Sequence, residues 1–435
     1  MLKKFFYPKS VAVIGASNKP NKVGYTLFQK LKNFKGRVFY INAEGYYIED
    51  KLCYKNLLEV KEKVDLVIIA VPAVFVKEVL IQCAHKNVNN VIILSAGFSE
   101  SGNTKLTNEI LEIIKKEKIR VLGPNNFGIV NTSNSLDCTF SKLSPNKGDI
   151  SFISQSGALW SSIVDFSISM NIGFSNFVSL GDMLDVDFSD VIEYLSKDEQ
   201  TKIIILYIEN VNDGKRFMSV LSKCRKPVIA IKGGKTRRGS EATLSHTGSL
   251  AGSYEIYKAA LKQSGCIFVE NIEEALSIAK LLSFQSKPRS NKVVVVTNAG
   301  GPGILMTDYL VENGIEIIDT SNIKFGLPDA ASVKNPIDVL GDAKLDSIRK
   351  VFNNIYRLKS FDILILILTP QSMTDDVGIA KEFVRFFKSS KKNCIACFLG
   401  VESFVISKNI LEESDIPCFD NLEILAESLG SIINK

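Results

Sequence analysis

Histidine is the scarcest catalytic side chain in this chain of 435 residues, which contains only His85 and His246. Metal centres built from several histidines, and catalytic schemes that use a pair of them, are therefore excluded within this chain. His85 belongs to a polar amphipathic stretch, and we expect it to be an exposed helix residue. Any imidazole chemistry then falls on His246.

A strong charge imbalance and a long apolar segment are also missing. The 53 basic and 47 acidic residues leave a net charge of +6 without a dominant basic block, so no nucleic-acid partner is predicted. This charge does not exclude a ligand that carries phosphate groups. The longest apolar run, residues 66–76, contains Pro72 and is far shorter than the roughly 18 residues of a membrane span. Pro8 and Lys9 interrupt the apolar N-terminus, unlike a signal peptide. We expect a cytoplasmic protein without a membrane partner.

The eight cysteines are scattered rather than arranged in a dense disulfide framework. Most lie within apolar runs, which favours reduced core residues. Cys394 and Cys397 have the spacing of a redox or zinc pair, but no second pair accompanies them. The segment around them is typical of a strand, so we interpret both as core residues and predict no metal site.

Short runs rich in valine and isoleucine alternate with longer amphipathic stretches along the whole chain. Parallel strands covered by helices on both faces have this pattern. The predicted strands are 11–14, 38–41, 66–71, 91–95, 150–153, 203–208, 228–231, 293–296, 363–368 and 394–399. The predicted fold class is α/β, with doubly wound parallel sheets.

The same local pattern occurs three times, beginning near residues 11, 150 and 293: an apolar strand, a turn of small residues and then a helix. Polar stretches at 131–147 and 286–292 separate these starts and suggest connections between domains. We therefore predict three domains, 1–145, 146–287 and 288–435.

The first of these turns, Gly15-Ala16-Ser17, is similar to a nucleotide-binding turn but lacks the G-x-G-x-x-G dinucleotide pattern. The following strand ends at Asn42 rather than at an acidic residue that would bind a ribose. This favours the phosphates of a nucleotide or of CoA over NAD. A glycine needed only for tight strand-to-helix packing is the alternative.

Small residues and a proline follow the next two strands, at Val71-Pro72-Ala73 and at Ser95-Ala96-Gly97-Phe98. They leave room for a flat or extended ligand at the carboxyl edge of the sheet. Ordinary turn chemistry explains these residues equally well.

The second turn, Ser154-Gln155-Ser156-Gly157, precedes a helical pattern. Hydroxyl groups, a glycine and the N–H groups of a helix N-terminus would converge on an anion there. A serine that only caps the helix would account for part of the pattern.

His246 lies in a glycine-rich, basic segment, 232–252, after the predicted strand 228–231. A Walker A loop is excluded, because Gly234-Lys235-Thr236 would need glycine where Ile229 stands. A loop histidine can accept and pass on a phosphoryl group, or it can be an ordinary surface residue. Glu209, directly after strand 203–208, is the candidate acid that orients the ring, or simply the first solvated residue after that strand.

Together these residues resemble the α subunit of ADP-forming acyl-CoA synthetases (acetate–CoA ligase, ADP-forming), in the succinyl-CoA synthetase superfamily. The resemblance covers essentially the whole chain. Its motifs are Val11–Ser17, Val71–Ala73, Ser95–Phe98, Gly123-Pro-Asn125, Ser154–Gly157, Leu206–Glu209, Ser245–Gly252, Thr297–Gly303, Asn335–Asp338 and Leu368–Gln371.

The resemblance implies a Rossmann-like CoA-binding domain at 1–145, a flavodoxin-like domain with a phosphohistidine loop at 146–287, and a flavodoxin-like third, CoA-ligase domain at 288–435. It implies phosphorylation of His246, stabilisation by Glu209, and phosphate binding by Ser154, Gln155, Ser156 and Gly157. The implied CoA-lining residues are Gly15, Ala16, Ser17, Asn42, Val71, Pro72, Ala96, Gly97 and Asn125.

The implied reaction converts acyl-CoA, phosphate and ADP reversibly into the free acid, CoA and ATP, through a bound acyl phosphate. We find no ATP-grasp segment here, so ADP or ATP and Mg²⁺ are expected in a separate ATP-grasp β subunit, in an α₂β₂ assembly. Asn126 stands where the family often has cysteine, which affects the expected acyl preference. The alternatives are a non-catalytic CoA-binding regulatory or scaffold protein and, more remotely, an NAD-linked Rossmann enzyme.

Overall fold

The computed structural model describes residues 2–241 and 252–434, and His246 therefore lies outside the described residues. The chain divides into two compact units, Met1–Glu270 and Asn271–Lys435. Among the described residues, the first unit contains a parallel sheet, a mostly parallel sheet and a small antiparallel pair of strands, and the second unit contains one parallel sheet. Each of the three large sheets contains the strand of one of the three strand–turn–helix starts.

The first sheet is fully parallel and has the strand order β2-β1-β5-β6-β7. Its strands are β1 (Ser10–Ile14), β2 (Arg37–Ile41), β5 (Leu66–Ile69), β6 (Asn90–Ile93) and β7 (Arg120–Leu122). A small antiparallel pair lies between β2 and β5 in the chain, namely β3 (Tyr47–Ile48) and β4 (Lys51–Leu52). The helices are α1 (Lys3–Phe6), α2 (Val23–Leu31), α3 (Val76–His85) and α4 (Thr104–Glu117). Every residue of β1, β5 and β6 is buried, which explains their unbroken apolar sequences.

The second sheet has the order β14-β13-β12-β10-β11-β8-β9, with β8 and β9 as its antiparallel strands. Its strands are β8 (Ile129–Asn131), β9 (Leu136–Asp137), β10 (Asn146–Ser154), β11 (Gly173–Ser179), β12 (Ile203–Ile208), β13 (Val228–Lys232) and β14 (Ile267–Val269). The helices named here are α5 (Leu159–Ser169), α6 (Phe188–Leu195), α7 (Gly214–Lys223) and α8 (Tyr254–Gln263). The chain enters this sheet at Ile129, before the predicted boundary at residue 145.

The third sheet belongs to the second unit and has the order β16-β15-β18-β19-β20, with β17 also paired to β15. Its strands are β15 (Lys292–Thr297), β16 (Glu316–Ile317), β17 (Ile337–Asp338), β18 (Ile363–Leu368), β19 (Asn393–Phe398) and β20 (Cys418–Phe419). The helices are α9 (Ile272–Phe284), α10 (Gly300–Glu312), α11 (Leu345–Tyr356), α12 (Asp376–Ser390), α13 (Val405–Glu412) and α14 (Leu422–Ile433). The hydroxyl of Ser431 on α14 donates to Glu274 on α9, so α9 belongs with this unit although it precedes residue 288.

The predicted fold class is confirmed, and all ten predicted strands occur as parallel strands. The strand Gly173–Ser179 was not predicted, because Ser175 and Asn176 interrupt its apolar pattern although both are buried. Cys394 and Cys397 are fully buried on β19, as predicted for core residues. None of the described helices is long and apolar enough to span a bilayer.

Candidate active site

A cleft of about 960 Å³ opens at the carboxyl ends of β1, β2 and β5. It is bordered by six of the residues proposed to contact CoA: Gly15, Ala16, Ser17, Asn42, Val71 and Pro72. Parallel α/β sheets bind ligands at this edge, where the strands end and helices begin. Six residues singled out in the sequence thus border one cavity.

Close backbone packing shapes the floor of this cleft. Gly15 has φ +93°, and a Cβ atom on Gly24 would lie 1.9 Å from the Gly15 carbonyl oxygen. The N–H groups of Gly15 and Ala16 both donate to the Ile41 carbonyl, so they are already engaged within the protein. These glycines are therefore required for tight strand-to-helix packing, and the same packing keeps the cleft open above the turn.

Three lysines border the same cleft, Lys19, Lys22 and Lys55, and the sequence reasoning did not single them out. Lys19 and Lys22 are exposed and follow the turn directly. An extended groove with cationic side chains at its rim fits the phosphates of CoA. The signal in the sequence was the pair of lysines within six residues of Ser17.

The side chain of Asn42 forms hydrogen bonds that hold the turn in place. Its Nδ2 donates to the Ala16 carbonyl at 2.8 Å and to the Tyr46 hydroxyl at 3.1 Å. Its Oδ1 accepts from the N–H of Glu44 at 2.9 Å. The side chain thereby fixes the end of β2 against the Gly15-Ala16-Ser17 turn.

A second cleft of about 290 Å³ lies between loops of the two sheets of the first unit. Ala96 and Asn125 border it from the first sheet, and Gln155, Ser156 and Gly157 border it from the second. Glu209 and Asp182 complete the polar lining. Residues proposed for CoA and residues proposed for phosphate therefore meet in one cavity.

Gln155 fixes Glu209 at the edge of the second sheet. Its Oε1 accepts from the backbone N–H of Glu209 at 2.6 Å and of Asn210 at 2.8 Å. Gln155 and Glu209 are 7% and 8% exposed. A buried amide that bridges the ends of β10 and β12 gives Glu209 a defined position in the cleft.

The four residues 154–157 have different surroundings. Ser154 is fully buried, and its hydroxyl donates to the Ser156 carbonyl at 2.7 Å, so it shapes the turn without lining the cleft. A Cβ atom on Gly157 would lie 2.4 Å from Cβ of Phe127, so close packing excludes a side chain there. Ser156 and Gly157 remain at the cavity wall, immediately before α5.

Lys232, at the end of β13, marks the start of the segment that contains His246. It is 5% exposed, and its Nζ lies 5.0 Å from the centre of the Tyr257 ring. Burial lowers the pKa of this ammonium group, while the nearby Glu209 carboxylate acts in the opposite direction. The beginning of the histidine segment therefore lies near Glu209.

The side chain of Asn126 forms hydrogen bonds with the backbone around it. Its Nδ2 donates to the Ser179 carbonyl at 2.6 Å, and its Oδ1 accepts from the N–H of Gly128. Asn125 has φ +51°, and its Nδ2 donates to Asp182 Oδ1 at 3.2 Å. Gly97 lies in the neighbouring loop, where its N–H donates to the Glu100 carboxylate.

The described residues that line the second cleft include no lysine or arginine, whereas Asp182 and Glu209 are acidic. An anion bound there would depend on N–H and hydroxyl donors, such as those of the turn before α5. Within residues 2–241 and 252–434, no three histidine, cysteine, aspartate or glutamate side chains form a group that could hold a metal ion.

Two family models match the first unit and the start of the second. A CoA-binding domain model matches residues 9–132, and a model described as the succinyl-CoA ligase-like flavodoxin domain matches residues 147–282. The two models correspond to the first and second sheets.

Curated relatives match over nearly the whole chain. The acetate–CoA ligase [ADP-forming] II subunit alpha of Pyrococcus furiosus is 39% identical, covering 100% of this chain and 98% of its own. The acetate–CoA ligase [ADP-forming] of Methanocaldococcus jannaschii is 42% identical, but only 61% of its length is covered. Some relatives are thus as long as this chain, while others extend well beyond the matched region.

A solved structure has the same fold. The dinucleotide-forming acetyl-coenzyme A synthetase 1 of Candidatus Korarchaeum cryptofilum, in complex with phosphate and ADP, superposes with a TM-score of 0.92. It is 32% identical and covers 99% of this chain and 96% of its own. With the family models and the full-length relatives, this match confirms the resemblance found in the motifs: the chain belongs to the ADP-forming acetate–CoA ligase family, among its alpha subunits, in the succinyl-CoA synthetase superfamily.

Proposed function

We propose that this chain is the α subunit of an NDP-forming acyl-CoA synthetase, which interconverts acyl-CoA, phosphate and ADP with the free acid, CoA and ATP. The observation that carries the proposal is the second cleft. There the turn 155–157 and Glu209 face Ala96 and Asn125 of the CoA-binding sheet. A phosphate group and a thioester can meet in such a cavity.

The first cleft binds CoA, whose thioester supplies the activated acyl group when it is bound. Lys19 and Lys22 hold its phosphates, and the turn at Gly15, Ala16 and Ser17 forms the wall beneath them. The fit is supported by the close contact of Gly24 with that turn, because a side chain there would collide with the Gly15 carbonyl and displace this wall. Val71 and Pro72 border its extended part, and the acyl end reaches Ala96, Gly97 and Asn125.

Phosphate binds at Ser156 and Gly157, where the N–H groups before α5 point towards the anion. One phosphate oxygen attacks the thioester carbonyl, the carbon–sulfur bond breaks, and the sulfur leaves with the electron pair as the CoA thiolate. The product is a bound acyl phosphate. Ser154 and Gln155 contribute indirectly, since their side chains fix the turn and Glu209.

His246 then attacks the phosphorus atom of the acyl phosphate, which releases the carboxylate and gives a phosphohistidine. Glu209 stabilises the cationic ring and fixes the tautomer of its neutral form. The phosphoryl group passes to ADP on an ATP-grasp β subunit that holds Mg²⁺, in an α₂β₂ assembly in the cytoplasm. The name "subunit alpha" of relatives that match over their full length, and the greater length of relatives such as that of Methanocaldococcus jannaschii, support a separate partner.

Intact-mass measurement tests this function. After incubation with acetyl-CoA and inorganic phosphate, the wild-type chain should gain one acid-labile phosphoryl group. The His246→Asn variant should gain none, whereas the matched control His85→Asn, at an exposed helix end, should behave like the wild type. An equal adduct on His246→Asn would contradict the assignment, and so would its absence from the wild type when an active β subunit and ATP are supplied.

A further inference from the structure

Two carboxyl groups, Glu100 and Asp182, meet beside the second cleft. Glu100 accepts hydrogen bonds from the backbone N–H groups of Gly97 and Phe98. Asp182 accepts a hydrogen bond at Oδ1 from Asn125. Among the described residues no donor reaches its buried Oδ2 atom, and Glu100 is the carboxylate that interacts with this side chain.

The backbone around Asp182 packs closely against the loop that follows β7 of the first sheet. The N–H of Asp182 donates to the Pro124 carbonyl at 3.0 Å, and the hydrogen bond from Asn125 orients its carboxyl group. A Cβ atom on the preceding Gly181, which has φ +57°, would lie 2.1 Å from the Pro124 carbonyl oxygen. Two like charges held together in a partly dry site repel each other strongly, and a shared proton removes the repulsion.

The surroundings decide which carboxyl group carries the proton. Burial would raise the pKa of Glu100, but the hydrogen bonds from Gly97 and Phe98 lower it overall. Burial and the Glu100 charge raise the pKa of Asp182 to about 7. Glu209 faces the same cleft, no described lysine or arginine lines it, and the next charged residue along the loop, Asp185, is paired with Arg120.

We propose that Asp182 is a neutral carboxylic acid that donates its Oδ2 proton to Glu100, and that this pair is a positioning element of the active site. It joins the loop at 97–100 and Asn125, which belong to the CoA-binding sheet, to the loop at 181–184 of the phosphate-binding sheet. It also removes one negative charge from a wall that must admit phosphate and a carboxylate. The catalytic consequence rests on the proposed function, whereas the shared proton does not.

Infrared difference spectroscopy of the full chain tests the shared proton. At pH 6 the wild type should show a carboxylic-acid C=O band that disappears on titration through about pH 7 and that Asp182→Asn lacks. In the isosteric Glu100→Gln variant the same band should titrate at lower pH, because the neighbouring charge is gone. A wild-type spectrum without the band at pH 6, or a band unchanged in Asp182→Asn, would overturn the proposal.

The pH dependence of the phosphate requirement tests the positioning role. We compare the ratio of the phosphate KM at pH 8.5 to that at pH 6 within each protein, measured by the rate of phosphoryl-adduct formation with acetyl-CoA. Ionisation of phosphate itself affects both proteins alike, so the ratio should be about five- to tenfold larger for wild type than for Asp182→Asn. Equal ratios would refute the role in anion binding. If the infrared band behaves as expected but no protein forms an adduct, the proposed function fails and the proton pair stands.

Discussion

At the scale of single residues, the site depends on side chains that hold the backbone as much as on those that face the cavity. Gln155, Asn42 and Asn126 were of interest in the sequence as polar groups near a ligand. In the structure each side-chain amide is engaged in hydrogen bonds within the protein, including at least one to a backbone group. Sequence patterns identify the right positions, but they do not show which polar atoms are already used.

Glu209 should matter to phosphoryl transfer through its charge. We expect Glu209→Gln to slow phosphorylation of His246 about 100-fold, because the neutral amide no longer stabilises the cationic ring. The adduct rate is read by quenched-flow mass spectrometry. The control Glu193→Gln alters an exposed carboxylate on α6. Equal rates in the two variants would show that the Glu209 charge has no such role.

The raised pKa of Asp182 also predicts a pH dependence of stability. The folded state binds this proton more tightly than the unfolded state, so the stabilisation is complete below about pH 4 and is lost as pH rises through about 7. The melting temperature of wild type relative to Asp182→Asn should therefore fall over this interval. A difference in melting temperature that stays constant from pH 4 to pH 8 would contradict the shift.

At the scale of helices and strands, continuous apolar runs made prediction straightforward where both faces of a sheet are covered. The segments 203–208 and 363–368 form strands with the predicted ends. Gly173–Ser179 was missed because its buried Ser175 joins a hydrogen-bonded group with Ser151 and Thr201, at 2.9 and 3.2 Å. Buried polar residues that form hydrogen bonds with one another across strands do not produce an apolar sequence pattern.

The acidic pair was missed for a related reason. Glu100 and Asp182 lie in loops of different sheets, and only the docking of those loops brings them together. Likewise, the sequence could not reveal that the close packing of Phe127 requires a glycine at position 157, independently of any anion. Contacts between distant segments depend on packing that no local pattern encodes.

The contact between α2 and the first turn gives a prediction at this scale. Gly24→Ala should cost roughly 1–3 kcal/mol in the free energy of unfolding and weaken CoA binding, because the new methyl group collides with the Gly15 carbonyl. The matched control is Gly214→Ala at the start of α7, where nothing lies within 4 Å of the added atom. Calorimetric CoA titration and thermal unfolding measure both effects. Similar values for the two variants would contradict this account of the turn.

At the scale of the whole chain, the described structure has three large sheets and one two-stranded sheet in two compact units. The sequence predicted three strand–turn–helix starts, and each contributes a strand to a different large sheet. The predicted domain boundaries at residues 145 and 288 stay predictions. The strands β8 and β9 lie before residue 145 although they belong to the second sheet, and α9 lies before residue 288 although it belongs to the second unit. Short segments that complete a neighbouring sheet or helix layer carry too little pattern to be assigned in advance.

A buried ion pair lies within the second unit. Lys280 on α9 donates to Glu412 at 2.6 Å and to the Cys418 carbonyl at 2.7 Å, and both charged side chains are at most 2% exposed. Lys280→Met should cost about 3–5 kcal/mol, because a carboxylate stays buried without this ammonium group. The control is Lys381→Met, at an exposed position of α12.

Hydrogen exchange of peptides from α9 and β20 measures the loss, since a chain of two units need not unfold in one step. The double variant Lys280→Met with Glu412→Leu should recover most of the protection. If Lys280→Met exchanges as slowly as Lys381→Met, the ion pair contributes nothing to the stability of this unit.

The central claim is that phosphate attacks the thioester and that its phosphoryl group then moves to His246. Incubation with acetyl-CoA and phosphate fully labelled with oxygen-18 tests the path of the atoms most directly. One labelled oxygen should appear in the released acetate and three in the phosphoryl group on the protein, because the phosphorus–oxygen bond of the acyl phosphate breaks. Acetate that carries only solvent oxygen, with no labelled phosphoryl group on the chain, would contradict the account.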